Sequence, residues 1–198
     1  MFAPYLVRAD DVRLPPNLTL ESKAGFAVGL LGLVDYRAPS PLVYRELVWM
    51  PGRVRAMRED GRVTRGYFVG KMLVDDRRSL AAGQELWGLP KQLARFDVGA
   101  REARVECEDG ARITLGLGRR WLPSLPARSA IVTLQSRAEL VRFRGDMVGA
   151  VAPRSLRVRS LAGLDGTWRS LESAVPLAPL GIELRRFRTI MQPPERLR

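Results

Sequence analysis

Residues 42–50 constrain the fold more than any other stretch of this chain, because they read as a β-strand with no polar face. Val43, Arg45, Leu47 and Trp49 alternate with Tyr44, Glu46, Val48 and Met50, and a strand that is apolar on both sides has to be covered on both sides. The chain around it reads as strands too. Residues 25–35 are β-rich, and 54–57 and 63–74 flank Glu59-Asp60-Gly61-Arg62, whose Asp-Gly pair suits a hairpin turn with positive backbone φ. Further strands are predicted at 103–108, at 112–117 after the Asp109-Gly110 turn, and at 129–134, 141–151, 156–161 and 182–191. A short helix at 10–14, capped by Asp10 or Asp11 and stopped by Pro15-Pro16, a loop at Asp165-Gly166-Thr167-Trp168 and a turn at 174–179 complete the reading. Disorder is expected only in the last few residues.

The pattern changes after Asp75. Asp75 or Asp76 can accept the first free NH groups of a helix carrying Leu80, Ala81, Gln84, Glu85 and Trp87, which Gly88 should close. Pro90 bars helical continuation and biases Leu89 toward extended backbone, leaving Lys91 at the start of a strand that runs on through Leu93, Phe96 and Val98. Only three lysines occur, Lys23, Lys71 and Lys91, among 33 basic residues. Where charge alone is wanted this chain uses arginine, so Lys91 invites a chemical explanation. An amine can lose its proton and attack a carbonyl, whereas a guanidinium cannot. The competing reading of Lys91 is a cation placed at the carbonyl end of the helix.

Composition narrows the alternatives. A chain of 198 residues with 46% hydrophobic side chains suits one domain spanning 1–198. The longest apolar stretch, 26–34, is broken by Gly29 and Gly32 and is too short to span a membrane. No secretory leader is read at the start, so the cytoplasm is the expected compartment. The lone Cys107 cannot form an internal disulfide, which agrees with reducing surroundings. Without histidine the chain has no Ser-His-Asp or Cys-His pair and no His-ligated zinc. It also lacks the glycine-rich signatures of dinucleotide and nucleoside triphosphate sites. Neither a metal nor a cofactor is expected.

The net charge of +12 and the pI near 11.1 raise a nucleic-acid role. The arginines, however, are scattered, with no basic tail and no interleaved aromatic pattern, which disfavours that role. They read as solvated strand faces, or as a positive field that draws in anionic substrates.

Two long segments carry a resemblance. Gly70-Lys71-Met72-Leu73-Val74-Asp75-Asp76, followed by Ala82-Gly83-Gln84-Glu85-Leu86-Trp87-Gly88-Leu89-Pro90-Lys91, resembles the active-site segment of the acetoacetate decarboxylase-like superfamily. In that superfamily a strand, a helix and a Pro-Lys step deliver the catalytic lysine. Tyr44-Arg45-Glu46 resembles the family's Tyr-x-Glu on a strand lining the site, and Trp168 with residues 174–180 resembles its C-terminal part.

The resemblance implies a mainly β (α+β) fold, a closed or partly closed β-barrel or cone with a few short helices, in which a pocket contains Lys91. It implies a lyase-type reaction on a small oxo acid or ketone through a lysine imine, covering decarboxylation, aldol or dehydration chemistry, without a cofactor. Relatives often assemble, so a homo-oligomer is expected. Glu46 maps onto an active-site glutamate, and a carboxylate facing a core demands a partner in any case. Glu85, across the helix end from Lys91, is a further catalytic candidate or an ordinary helix-surface carboxylate. Gln84 is a candidate for orienting substrate, and Arg45 or Arg95 for holding an anion.

Three departures accompany the match. Gln92 stands where the family typically has a second lysine, so desolvation by Trp87, Leu89 and Leu93 is left to favour the neutral amine. The family's other glutamate would fall on the preceding strand, which offers only Phe26, Ala27, Val28, Gly29 and Leu30. An early arginine for the substrate carboxylate has no match. These departures keep open a second reading, a barrel that has lost catalysis and binds a small anionic or apolar ligand.

Overall fold

The computed structural model describes residues 1–120, 122–136, 139–177 and 181–197. Its strands are, in chain order, Phe2–Arg8 (β1), Thr19–Leu20 (β2), Phe26–Tyr36 (β3), Tyr44–Met50 (β4), Gly52–Met57 (β5), Val63–Phe68 (β6), Lys71–Val74 (β7), Lys91–Val98 (β8), Glu102–Cys107 (β9), Arg112–Leu117 (β10), Leu125–Ser136 (β11), Leu140–Pro153 (β12), Leu156–Ala162 (β13), Val175–Pro176 (β14), Ile182–Met191 (β15) and Glu195–Leu197 (β16). Helix Arg77–Trp87 (α1) joins β7 to β8, and the short helix Arg169–Glu172 (α2) follows a 3-10 turn at Gly166–Trp168.

The strands join one sheet in the order β13-β10-β9-β8-β7-β4-β3-β1-β15-β12-β11-β6-β5-β2, with β14 added to β1 and β16 to β12. Nearly every pairing is antiparallel. The extended parallel one is β7 with β8, and parallel neighbours require a crossover, which α1 supplies. The sheet curls into a half-barrel. On β1 the Tyr5 hydroxyl donates to Leu156 O and accepts from Val158 N, so the edge strand β13 is drawn back against the middle of the sheet.

Strand β4 lies between two apolar cores, as its lack of a polar face requires. Leu47 and Trp49 pack with Tyr5, Leu31, Leu73 and Ile113 on one side, and Val48 and Met50 pack with Met72, Val74 and Phe143 on the other. Glu46 shares the second side by the two-residue period of the strand. A third cluster, Leu18, Val54, Ala56, Leu134 and Leu140, fills the β5–β6 end.

Local expectations meet the structure at several points. Asp60 Oδ1 accepts from Arg62 N and Gly61 takes φ +78°, the positive φ that only glycine adopts cheaply. Asp76 caps α1 by accepting from Ser79 N at 2.8 Å, and Gly88 ends it in the left-handed conformation.

Other expectations need correction. Residues 10–14 are not a helix: Ala9–Asp11 make one 3-10 turn and Val12 is already extended. Residues 2–8 form a strand not expected from the sequence; although Pro4 in its middle disfavours a central strand, β1 pairs with β3 along its whole length. Glu195–Leu197 are ordered by pairing with Leu140–Arg142. Of the turn expected at 174–179, Val175–Pro176 form β14, and 178–179 lie outside the described residues. Among the described residues no helix is long and apolar enough to cross a membrane.

Candidate active site

The β7–α1–β8 crossover fixes Lys91. It is the first residue of β8, pairs with Met72 of β7, and sends its side chain under α1 past Gly83. A Cβ at Gly83 would lie 2.4 Å from Lys91 Cδ, so glycine is what allows the helix to cover the lysine so closely. Gln84 holds the same backbone from the helix side, donating from Nε2 to Lys91 O at 2.9 Å.

Of the three lysines Lys91 alone is buried, at 7% exposure. Its amine donates to Ser79 Oγ at 2.8 Å and lies 3.3 Å from Glu46 Oε2. Glu46 reaches it from β4, two strands away, across β7. The Tyr44 hydroxyl donates to the same carboxylate oxygen at 3.3 Å, and the amine sits 5.3 Å from the Tyr44 ring centroid. Tyr44 stacks on Tyr36 at 4.6 Å, and Tyr36 meets Phe187 edge-on at 5.7 Å. A continuous aromatic wall therefore runs from Lys91 to β15.

Glu46 forms part of the wall of a cavity of about 100 Å³. Apolar side chains dominate the lining, among them Val48, Met50, Met72, Phe143, Met147 and Met191, with Tyr36, Thr133 and Thr189 as further polar members. Lys91 is not among the residues that line the cavity, which differs from a pocket containing Lys91; its amine is engaged by Glu46, a lining residue, and by Ser79. Among the described residues no group of three or more acidic or cysteine side chains could hold a metal ion.

The other sequence candidates stand elsewhere. Glu85 is exposed on α1 and makes no hydrogen bond or ion pair with Lys91. Arg45 neighbours Glu46 in sequence, so strand alternation turns it to the opposite face, where it donates to Phe96 O and pairs with Asp75 at 3.6 Å. Arg95 is exposed on β8 and does not line the cavity. The amide of Gln84 is engaged by backbone. Sequence reasoning missed Ser79 and Tyr36. Ser79 gave a partial signal, since a residue three places after an N-cap aspartate faces the turn that α1 lays over β8.

Burial pushes the Tyr36 phenol well above its ordinary range, with the negative charge of Glu46 adding to the shift. The same two causes raise Tyr44. Burial also raises Tyr5 and Tyr67. The unfolded chain therefore releases phenolic protons, from about pH 10, that the folded chain retains. Folding stability is then full below about pH 10 and is lost as pH rises through the higher folded values. An alkaline absorbance titration should show Tyr36 and Tyr44 staying protonated through the usual tyrosine range until unfolding releases them; ordinary ionisation of either in the folded protein would contradict the buried site.

The curled β-sheet is a fold that known proteins share. The model of the acetoacetate decarboxylase family matches residues 3–122, and the chain belongs to that family. Among solved structures, one described as structural studies of acetoacetate decarboxylase aligns over 98% of this chain and 85% of its own, with a TM-score of 0.57 at 16% identity. Two more distant ones are the enduracididine biosynthesis enzyme MppR complexed with pyruvate, at 16% identity, 99% and 85% coverage and TM-score 0.48, and acetoacetate decarboxylase from Legionella pneumophila, at 17% identity, 99% and 83% coverage and TM-score 0.45. No curated protein matches the chain. Family membership supports a lyase-type enzyme acting on a small molecule.

Proposed function

We propose that this protein forms an imine between Lys91 and a small oxo acid or ketone and uses it for lyase chemistry, with Glu46 as the proton carrier. The observation behind this reading is the Lys91–Glu46–Ser79 cluster, which sets a buried amine beside a carboxylate and a hydroxyl at a cavity wall. Transfer of one proton from the ammonium to Glu46 leaves an amine lone pair and a carboxylic acid. Rotation of the Glu46 side chain out of the ion pair bares Nζ to the cavity. The amine then adds to the carbonyl carbon, and the Glu46 acid protonates the departing hydroxyl, so that water leaves and an iminium remains.

A carboxylate one carbon removed from the imine carbon is then set to leave as CO2, its bonding pair passing into the iminium to give an enamine. Protonation at carbon followed by addition of water releases the ketone and frees Lys91. Ser79 holds the amine, and Tyr44 holds the Glu46 carboxylate in the resting pair before it rotates. Among the described residues no arginine lines the cavity, which separates this site from one built around a small, wholly polar oxo acid. The apolar walls favour a substrate with a hydrocarbon portion. Assembly of the chain into homo-oligomers and residence in the cytoplasm belong to the same proposal.

Borohydride reduction in the presence of pooled oxo acids and ketones tests the reading. Mass spectrometry should find a reduced adduct on the Lys91 peptide of the parent and none with Lys91→Ala. Equal labelling of the two proteins would remove the imine mechanism. The apolar lining also favours the second reading, a non-catalytic binder of an apolar ligand, which predicts ligand binding without any adduct.

A further inference from the structure

We infer that the substrate is an elongated carbonyl compound with a terminal anion, its hydrocarbon portion in the apolar cavity and its anionic end in an adjoining arginine cleft. The inference rests on the imine reading for the placement of the carbonyl, but the cleft stands on its own geometry. A cleft of about 1220 Å³ opens beside the cavity and shares Met1, Val34, Tyr36, Leu184, Phe187 and Thr189 with it. The two therefore adjoin at a shared wall and differ in character, apolar on one side and charged on the other.

Six arginines line the cleft, namely Arg37, Arg120, Arg154, Arg185, Arg186 and Arg188, against two carboxylates, Asp35 and Glu183. Arg37 is paired with Asp35, and both Arg120 and Arg154 converge on Glu183. Among the described residues Arg185, Arg186 and Arg188 have no acidic partner, so the cleft carries an uncompensated positive field at its β15 wall. Carboxylates and phosphates are the groups that arginine clusters recognise through charge-assisted hydrogen bonds.

The β15 wall is shaped for this arrangement. Its register against β12 slips between Val148 and Ala150, so that Gly149 faces both Arg186 and Phe187. Arg186 takes φ +47°, a conformation that L side chains rarely adopt. A Cβ at Gly149 would lie 3.0 Å from Arg185 O and from Phe187 Cα, so the bulge needs that glycine. Bulges re-aim side chains, and this one lets Arg185, Arg186 and Arg188 reach the cleft while Phe187 faces cavity and cleft together. At the junction, the Thr189 hydroxyl is buried with no hydrogen-bond partner among the described residues. It is an open donor for a ligand that threads from one half to the other.

The probes are a chain-length series of straight-chain oxoalkanoates ending in carboxylate, their methyl esters, and counterparts ending in phosphate. Binding to the parent is measured by calorimetry, and borohydride trapping is measured separately. The best carboxylate or phosphate should bind about tenfold more tightly than the matching ester, and whichever anion binds more tightly names the source of the charge. Combining Arg185→Gln with Arg188→Gln, both exposed and without an acidic partner among the described residues, should abolish that preference without lowering the melting temperature. Arg112→Gln, exposed elsewhere on the sheet, should keep it. Esters that bind as well as the anions, or a preference that survives loss of Arg185 and Arg188, overturn the inference even if Lys91 is trapped. Retained anion preference without any adduct supports the cleft and removes the imine reading instead.

Discussion

Lys91→Met is expected to destabilise the fold by about 3–5 kcal/mol, the usual cost of removing one partner of a buried ion pair. The methionine fills nearly the same volume, so the loss is electrostatic rather than a cavity effect. Side-chain exposures of 7% for Lys91 and 9% for Glu46 leave little solvent to screen the pair. Once the ammonium is gone, the Glu46 carboxylate retains, among the described residues, the long contact from Tyr44 at 3.3 Å, and Ser79 Oγ loses the donor at 2.8 Å. Because Glu46 also borders the cavity, water entering there brings the cost toward the lower end of the range. Adding Glu46→Gln to Lys91→Met should recover most of the loss, because the amide is neutral and still accepts from Tyr44. Urea midpoints of the parent, both single variants and the double variant give the coupling directly. A Lys91→Met protein as stable as the parent would mean that Glu46 is not held as a buried anion, and the proton-carrier role assigned to it would go with that result.

Where chemistry is enforced by backbone over a few residues, the sequence was legible. The two-sided strand 44–50, the Asp60-Gly61 turn, the Asp76 cap, the Gly88 stop and the extended exit at Lys91 each depend on neighbours within a turn or a strand period. Glu46 was legible for a related reason, since a carboxylate on an apolar strand has to find a partner. What the sequence did not yield depends on sheet order. Lys91 and Glu46 meet because β7 separates β8 from β4 and α1 lays Ser79 over the gap, and no local pattern encodes those three positions together. Tyr36 joins the site only because β3 pairs with β4 in the register that sets Tyr36 opposite Tyr44.

The arginines show the same division. Their number is plain in the sequence, but the selection of Arg185, Arg186 and Arg188 for the cleft follows from a register slip between β12 and β15. Arg45 and Arg95 were candidates by nearness in sequence to Glu46 and Lys91. Strand alternation sends Arg45 to the far face, and Arg95 stands exposed on β8. Gln84, a candidate substrate contact by sequence, ties α1 to the Lys91 carbonyl through its amide nitrogen and so supports the lysine's backbone.

Gly83→Ala is expected to slow imine formation by about a hundredfold, the scale of loss that follows a misplacement of roughly 1 Å at a reacting group. The glycine lies buried in α1 against the lysine stem, and an added Cβ would come within 2.4 Å of Lys91 Cδ and 2.6 Å of Cε. Restoring ordinary contact requires the stem to shift by about 1 Å, and a stem held by Ser79 and Glu46 at its tip can shift only by giving up one of those partners. Stability should respond far less. Alanine in a helix interior gains up to about 1 kcal/mol over glycine, which offsets part of the roughly 1–3 kcal/mol that overpacking costs. The trapping rate with the best oxo acid, read beside the melting temperature, separates these effects. A variant that melts near the parent but traps slowly locates the requirement in the position of Nζ. One that traps at the parent rate would show that the amine does its chemistry from a place other than the slot between Gly83, Ser79 and Glu46.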